Sequence, residues 1–373
     1  MKDLVPDHPL TRRTLLLGAA GSSAAALASG CSLGSPRSPS PGSTPPASPS
    51  GPASPTTRTT PTPTPTPRSP FPRPRPPGPA TFQANELGMV PVMMYHRLTS
   101  RPGEYDMTPG GFRTQVRRLL DSGYRPVDAR DFARGRMDVP AGTTPVVLTF
   151  DDSTPGQFAL RSDGRLDPHC AAGILTAECA KVSGAEPRAT FYVNREPFGP
   201  ESERQQRRRL RALLEMGFQL GNHSLDHPNL ATLSDTGVAE QLVGLNTLIT
   251  QLAPGADMSS LALPFGVSPR NRRLARRGSW RGTSYAFDLV LLVGASPSPS
   301  PFDVDFDPYA VPRIRETSYR GGRTPLTGTY WLDYLDARPK ERYVSAGNPG
   351  HVTVPKALRG QVADRYQRRL ISY

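Results

Sequence analysis

The run Pro145-Val146-Val147-Leu148-Thr149-Phe150 carries no charge and no apolar/polar alternation. A strand of that kind is buried on both faces, as happens in a parallel sheet or barrel covered by helices. The flanking sequence repeats the demand. Strand-like Val90–Tyr95, Tyr124–Val127, Ala189–Val193, Phe218–Gly221, Leu261–Leu263 and Tyr285–Val293 are interleaved with segments of helical periodicity. These are Thr108–Ser122, Ala129–Arg134, Ala171–Lys181, Glu203–Met216, Asp235–Leu252 and Asn271–Gly278; Val311–Ile314 and Tyr330–Leu335 complete the pattern. In the first helix Phe112, Val116, Leu119 and Leu120 share one face, and Gly123 ends it. Such alternation specifies an α/β fold built on a parallel sheet or barrel. The loops Ser153–Pro168 and Gly294–Pro308 are long enough to be functional or to be insertions.

Only part of the 373 residues can fold this way. Residues 1–30 read as an export signal: Arg12-Arg13, then an apolar run from Leu15, then small residues to Gly30. The run is too short and too rich in Gly and Ser for a comfortable membrane span. The paired arginines fit twin-arginine export, and an n-region of this kind also serves the general secretory route. Leu27-Ala28-Ser29-Gly30-Cys31 resembles a bacterial lipobox. Cys31 would then be lipidated and hold the protein at the outer face of the cell membrane. The alternative is an ordinary cleavage near Gly30 and a secreted protein. Residues 31–80 are almost wholly Pro, Ser, Thr and Gly and cannot form a core. As a polyproline II spacer they could reach on the order of 150 Å. Residues 81–373 remain, enough for one large domain with a C-terminal extension.

The formal net charge is +13, and residues 31–80 supply five arginines and no acid. Within the domain the basic residues concentrate at Arg204–Arg211 and Arg270–Arg281. They read either as solvated helix faces or as attraction to an anionic envelope. No helix-turn-helix, zinc finger or stacking-aromatic pattern accompanies them, which excludes nucleic acid as the expected partner. The chain is expected to be a monomer. Cys170 and Cys179 lie at the ends of one helical segment, ~13.5 Å apart along its axis. A disulfide needs Cα atoms within ~7 Å, so free, buried thiols are expected. Asp303, Asp305 and Asp307 alternate as in a calcium loop, but Pro308 and Ile314 stand where such a loop needs Gly and Glu.

The chemistry gathers at strand ends. Asp151-Asp152 closes the apolar strand, the position where α/β barrels carry catalytic groups. Leaving in different directions, one carboxylate can bind a metal while the other stays free as a base. His223-Ser224-Leu225-Asp226-His227 follows a second strand, and histidines four apart in one helical turn face the same way. The chain holds only six histidines. One carboxylate and two imidazoles make an open site for a divalent ion, zinc ahead of nickel or cobalt.

Thr149-Phe150-Asp151-Asp152 together with His223–His227 resembles the polysaccharide deacetylases of the NodB-homology, carbohydrate esterase 4 type. Leu263-Pro264-Phe265-Gly266 resembles the family's third motif and Thr190-Phe191-Tyr192-Val193 its intervening strand. Val92-Met93-Met94-Tyr95-His96 is similar to the opening strand of the poly-β-1,6-N-acetylglucosamine deacetylase branch. The resemblance covers roughly residues 88–316 and implies a distorted parallel β/α barrel. It implies an amide hydrolase that removes N-acetyl groups from a polysaccharide. Asp151 would be the general base, Asp152, His223 and His227 the metal ligands, and the Phe265 N–H an oxyanion donor. Two departures stand out. The family's third motif begins with an arginine that steadies the base, where this chain has Ala262; Arg313 is the expected substitute. The family's late Leu-x-His acid is absent, and His351 sits in a Gly/Pro-rich tail. In the branch resembled, the early Tyr-His supplies the acid, which points to His96. Two other readings stay open: an O-acetyl esterase on glycans such as xylan, and a degenerate carbohydrate-binding protein.

Overall fold

Every pairing in the eight-stranded main sheet is parallel. The computed structural model describes residues 78–101, 103–318 and 326–373, all within the unit Pro76–Tyr373. The expected export signal, Cys31 and nearly all of the linker lie outside the described residues; Pro79–Phe82 already forms a short 3₁₀ turn. The first elements are β1 (Val92–Tyr95), β2 (Arg97–Leu98), β3 (Asp106–Met107), α1 (Pro109–Asp121), β4 (Tyr124–Val127), α2 (Ala129–Ala133) and β5 (Thr144–Phe150). Then come α3 (Ala171–Cys179), β6 (Thr190–Val193), α4 (Glu203–Glu215), β7 (Gln219–Asn222), α5 (Asp235–Leu252) and β8 (Ser260–Ala262). The chain finishes with β9 (Arg277–Trp280), β10 (Thr283–Ala286), β11 (Leu289–Leu291), β12 (Ile314–Arg315), α6 (Gly328–Ala337), β13 (Val352–Val354) and β14 (Leu370–Ser372).

The strand order is β11-β8-β7-β6-β5-β1-β12, with β4 paired to the first half of β5. Parallel bridges Leu291↔Val311 and Gly294↔Ile314 tie β11 back to the segment that carries β12. The sheet therefore curls into a distorted β/α barrel, one of the two parallel architectures that the alternating pattern allowed and the one that the resemblance implied. Strand residues divide between two apolar layers, as a period of two requires. Val146, Leu148, Phe150, Phe191, Val193 and Ile314 pack with the residues of α1, α3, α4 and α5. Val92, Val147, Tyr192, Ala262, Leu289 and Leu291 pack together in the second layer, inside the curl. This is why β5 shows no polar alternation: all seven positions are buried. Helix starts are capped: Thr108 accepts from Gly111 N–H, Ser234 from Gly237 N–H, and Ser202 with Gln205 forms a capping box. Such caps contribute about 1 kcal/mol each.

Four expectations need correction or refinement. Asn271–Gly278 is not a helix; a 3₁₀ turn at Arg272–Ala275 leads into β9, which pairs antiparallel with β10. The two-residue turn Arg281-Gly282 has φ of 48° and 80°, the left-handed pair that suits a tight hairpin. Tyr285–Val293 is consequently split between β10 and β11. Tyr330–Leu335 belongs to helix α6. The C-terminal residues are part of the core: Tyr343, Val352, Val354, Val362 and Tyr366 join the layer inside the curl and its lower end. Buried Glu86 fastens them by accepting from Ala346 N–H at 3.0 Å and Thr353 N–H at 2.7 Å, and burial pushes its carboxyl up to about 7. Cys170 and Cys179 are free and buried, Cys170 as the N-cap of α3.

Candidate active site

Asp151 continues the inward set Val147 and Thr149 at the end of β5. Its carboxylate accepts two hydrogen bonds from Arg313, each 2.7 Å, one to each oxygen. Arg313 is fully buried; it also donates to Thr149 Oγ1 at 3.2 Å and to the Leu292 carbonyl at 2.8 Å. Burial works to raise the Asp151 carboxyl, but the Arg313 guanidinium, then His223 and His96, outweigh it and hold the group well below the usual carboxylate range. Arg313 immediately precedes β12 and reaches Asp151 across the barrel, so the distance of 162 residues in sequence vanishes in space.

Asp152 turns the other way. Its φ is 69° and that of Ser153 is 44°, two consecutive left-handed residues without a glycine. Ser224, His227 and Phe265 share the conformation, with φ of 62°, 53° and 57°. Non-glycine residues rarely hold this geometry, and it costs of order 1–3 kcal/mol each. Among the described residues, five of the nine such positions lie on these three loops. The backbone is thus held against local preference where the expected site residues meet.

The two histidines converge, but not on a helix. Residues 223–229 form an irregular loop after β7. His223 is turned by a bond between its Nδ1 and the Ala262 carbonyl, 2.8 Å, which directs Nε2 into the site. His223 Nε2 and His227 Nε2 lie 3.4 Å and 3.6 Å from Asp152 Oδ1. The donor atoms of Asp152, His223 and His227 all fall within 4.8 Å of one another. An ion held at ~2.0–2.2 Å brings its donors within ~4.4 Å of one another, so the three groups stand close to the spacing that a divalent ion needs. Two imidazole nitrogens with one carboxylate oxygen, one nitrogen fixed through its other ring atom, is a donor set suited to such an ion. The Asp303/Asp305/Asp307 run makes no such cluster among the described residues; Asp303 and Asp307 accept from Asp305 and Tyr309 N–H.

Residues that the motifs did not mark hold the loop. Asn194 donates to the carbonyls of His223 and Ser224, both 2.8 Å. Asn222 accepts from Ser224 N–H at 2.7 Å. Asp226 is clamped by Arg195 at 2.6 and 2.9 Å and by Gln241 at 3.0 Å. The buried Gln157 side chain spans the backbone carbonyls of His96 and Asp151. Each asparagine ends or follows a strand next to a motif, and that placement is its only signal in the sequence.

His96 follows β1, and burial holds its pKa below the ordinary imidazole value against the pull of Asp151 and Asp152. Its buried Nδ1 has no hydrogen-bond partner among the described residues, and its ring meets Tyr105 edge-on at 5.2 Å. Phe265 lies in the turn Pro264–Gly266, exposed, with its ring edge-on to His227 at 4.6 Å. At Asp152 and His227 opens a cleft of about 480 Å³, lined also by Ser153, Asn194, Arg195 and Asp226. His351 is exposed on the C-terminal loop. Among the described residues no helix is long and apolar enough to cross a membrane.

No curated protein matches this chain. Among solved structures it is similar to the Streptococcus pyogenes deacetylase PplD in complex with acetate, at 17% identity over 66% of this chain and 97% of that one, TM-score 0.47. A polysaccharide deacetylase from Bacillus cereus shares 18% identity over 66% and 69% of the two chains, TM-score 0.48. IcaB from Ammonifex degensii shares 20% over 62% and 93%, TM-score 0.42. Residues 138–278, the segment that supplies Asp151, Asp152, His223, His227 and Phe265, match the family model described as polysaccharide deacetylase.

Proposed function

We propose that the chain is a metal-dependent amide hydrolase that removes N-acetyl groups from N-acetylglucosamine-containing polysaccharide of the cell envelope or extracellular matrix. The reading rests on one juxtaposition. A buried carboxylate locked to an arginine, Asp151 with Arg313, adjoins the open Asp152/His223/His227 donor set. Asp152, His223 and His227 would hold the ion, zinc the first candidate. When bound, a divalent ion lowers the pKa of water and polarises the acetyl carbonyl, which is what lets a carboxylate as weakly basic as Asp151 accept the water proton. Arg313 keeps that carboxylate ionised and oriented. The water oxygen bonds to the carbonyl carbon, and the Phe265 N–H donates to the carbonyl oxygen that gains charge as that carbon becomes tetrahedral. His96 gives a proton to the departing nitrogen. The C–N bond breaks, and acetate and a free amine leave. Export and anchoring through lipidated Cys31 would place this activity at the outer face of the cell membrane.

Acetate release from chitooligosaccharide and from acetylxylan, with and without chelator, tests the reading. Chelator-sensitive release from the chitooligosaccharide is expected. Release only from acetylxylan would make the chain an O-acetyl esterase, and none from either substrate would leave a carbohydrate-binding protein. His96→Asn should keep its metal and lose roughly 10²–10⁴-fold in kcat, the usual worth of general acid catalysis. Full activity in that variant would remove His96 from the mechanism.

A further inference from the structure

The deacetylase reading leaves the basic face of α4 unused. Arg204, Arg208 and Arg211 follow one another at i, i+4 and i+7, so they lie along one stripe of the helix. All three are exposed, and none has an ion-pair partner among the described residues. Their neighbours are engaged elsewhere. Arg207 holds Glu203 and the Gln251 carbonyl, and Arg209 holds Glu201 and the Phe198 carbonyl. Like charges four apart weaken a helix, and the stripe carries no compensating acid until Glu215 at its last residue.

The stripe faces a hollow of about 820 Å³ lined also by Leu160 and Gly164 and by two carboxylates, Glu203, which Arg207 holds, and Glu215 at the far end of the helix. Leu160 and Gly164 belong to a small hairpin closed by the Leu160↔Leu166 bridge and by Arg161 N–H on the Arg165 carbonyl at 2.8 Å. Gly164 has φ +87°, and a side chain there would run into the Arg208 guanidinium. Glycine at the hairpin tip leaves the Arg208 guanidinium the space it occupies there. Arg161 and Arg165 add exposed charge on the same hairpin; among the described residues Arg165 pairs with Asp163 alone, at 3.9 Å. The same two chain segments, after β5 and after β6, also line the cleft beside Asp152 and His227.

We propose that this hollow binds a polymer of sugar-alcohol phosphates, its phosphodiesters seated along the α4 stripe. From Arg204 to Arg211 the helix rises ~10 Å, a reach that fits successive anionic groups of a chain better than one small ion. Every free cation on the stripe is an arginine, whose fork matches phosphate oxygens in pairs. A bilayer is a poorer occupant, because a membrane-seated helix projects apolar side chains into the lipid and this stripe projects none. A nucleic acid is poorer too, since the hollow offers no aromatic ring for a base to stack on.

The test is equilibrium binding of poly(glycerol phosphate) to the full chain over a range of salt. Binding that weakens with salt is expected. Arg204→Gln/Arg208→Gln/Arg211→Gln should weaken it at least tenfold. Arg272→Gln/Arg273→Gln/Arg277→Gln, an equal loss of charge ahead of and on β9, should change it less than twofold. Glutamine keeps helix propensity, and Arg208→Gln alone, expected to cost about threefold, covers any folding defect of the triple variant. Absent binding, equal losses in the two triple variants, or equal affinity for polygalacturonate, single-stranded DNA or phosphatidylglycerol vesicles would each overturn the assignment. None of these readouts depends on deacetylase activity.

Discussion

Arg313→Ala is expected to lose about 3–5 kcal/mol of stability, the cost of leaving one member of a buried ion pair alone, and at least ~10²-fold in kcat. The guanidinium is fully buried and gives both Asp151 oxygens a donor. Without it, only His223 and His96 are left to oppose the effect of burial on Asp151. The sign of the pH effect then reverses. In the native protein the carboxyl sits below its unfolded value, so its contribution is present above ~pH 3.9 and is lost as pH falls through the folded pKa. In the variant the folded pKa rises above the unfolded one, and stability declines as pH climbs between the two. The Tm deficit of Arg313→Ala should therefore shrink when pH is lowered from about 7.5 to about 5. Arg313→Lys keeps the charge but loses the two-pronged geometry, so it should fall between native and alanine in both Tm and kcat. Unaltered turnover in Arg313→Ala, or a Tm deficit that grows on acidification, would mean that Arg313 does not steady the base.

The barrel was legible because its strands are short, apolar and separated by helices whose caps are written in the sequence. Thr108, Ser202 and Ser234 each stand just before the helix that they cap. Legibility ended where backbone conformation departs from residue preference. Arg281-Gly282 turns a hairpin with an arginine at a left-handed position, where asparagine would have announced the turn. His223–His227 suggested a helical turn by spacing alone. The loop brings the two rings together instead through left-handed Ser224 and His227, braced by Asn194 and Asn222. Hydrogen bonds between strand ends carry no local periodicity, so no window along the chain reports them.

The position of Ala262 shows how far a motif can be read. At the head of the third motif this chain has no arginine, yet the backbone there still works in the site, because the Ala262 carbonyl fixes His223 Nδ1. The charge arrives from Arg313, buried inside the curl beside Thr149 and 6.0 Å from the Tyr192 ring. Ala262 shares that inner layer with Tyr192. A small residue at 262 is compatible with a guanidinium that enters from the opposite edge of the sheet.

Asp151→Asn and Asp152→Asn should fail in different ways, although the residues are adjacent. His223 Nε2 is 3.8 Å from Asp151 Oδ2 and 3.4 Å from Asp152 Oδ1, so distance alone barely separates a ligand from a base. Their environments differ. Both Asp151 oxygens are occupied by Arg313 in a buried position, whereas Asp152 is partly exposed and reaches His227 as well as His223. Asp151→Asn should keep its metal after dialysis, lose roughly 10²–10⁴-fold in kcat, and melt earlier because the Arg313 charge is left buried without a counterion. Asp152→Asn should melt close to the native protein but lose metal affinity by more than the ~10–100-fold that outer-shell partners cost. Excess metal should restore part of its activity, and none to Asp151→Asn. Metal content after dialysis, Tm and kcat measured on both variants decide the matter. Equal metal loss from the two would mean that both carboxylates are ligands, and the proton acceptor would then have to be sought elsewhere in the cleft.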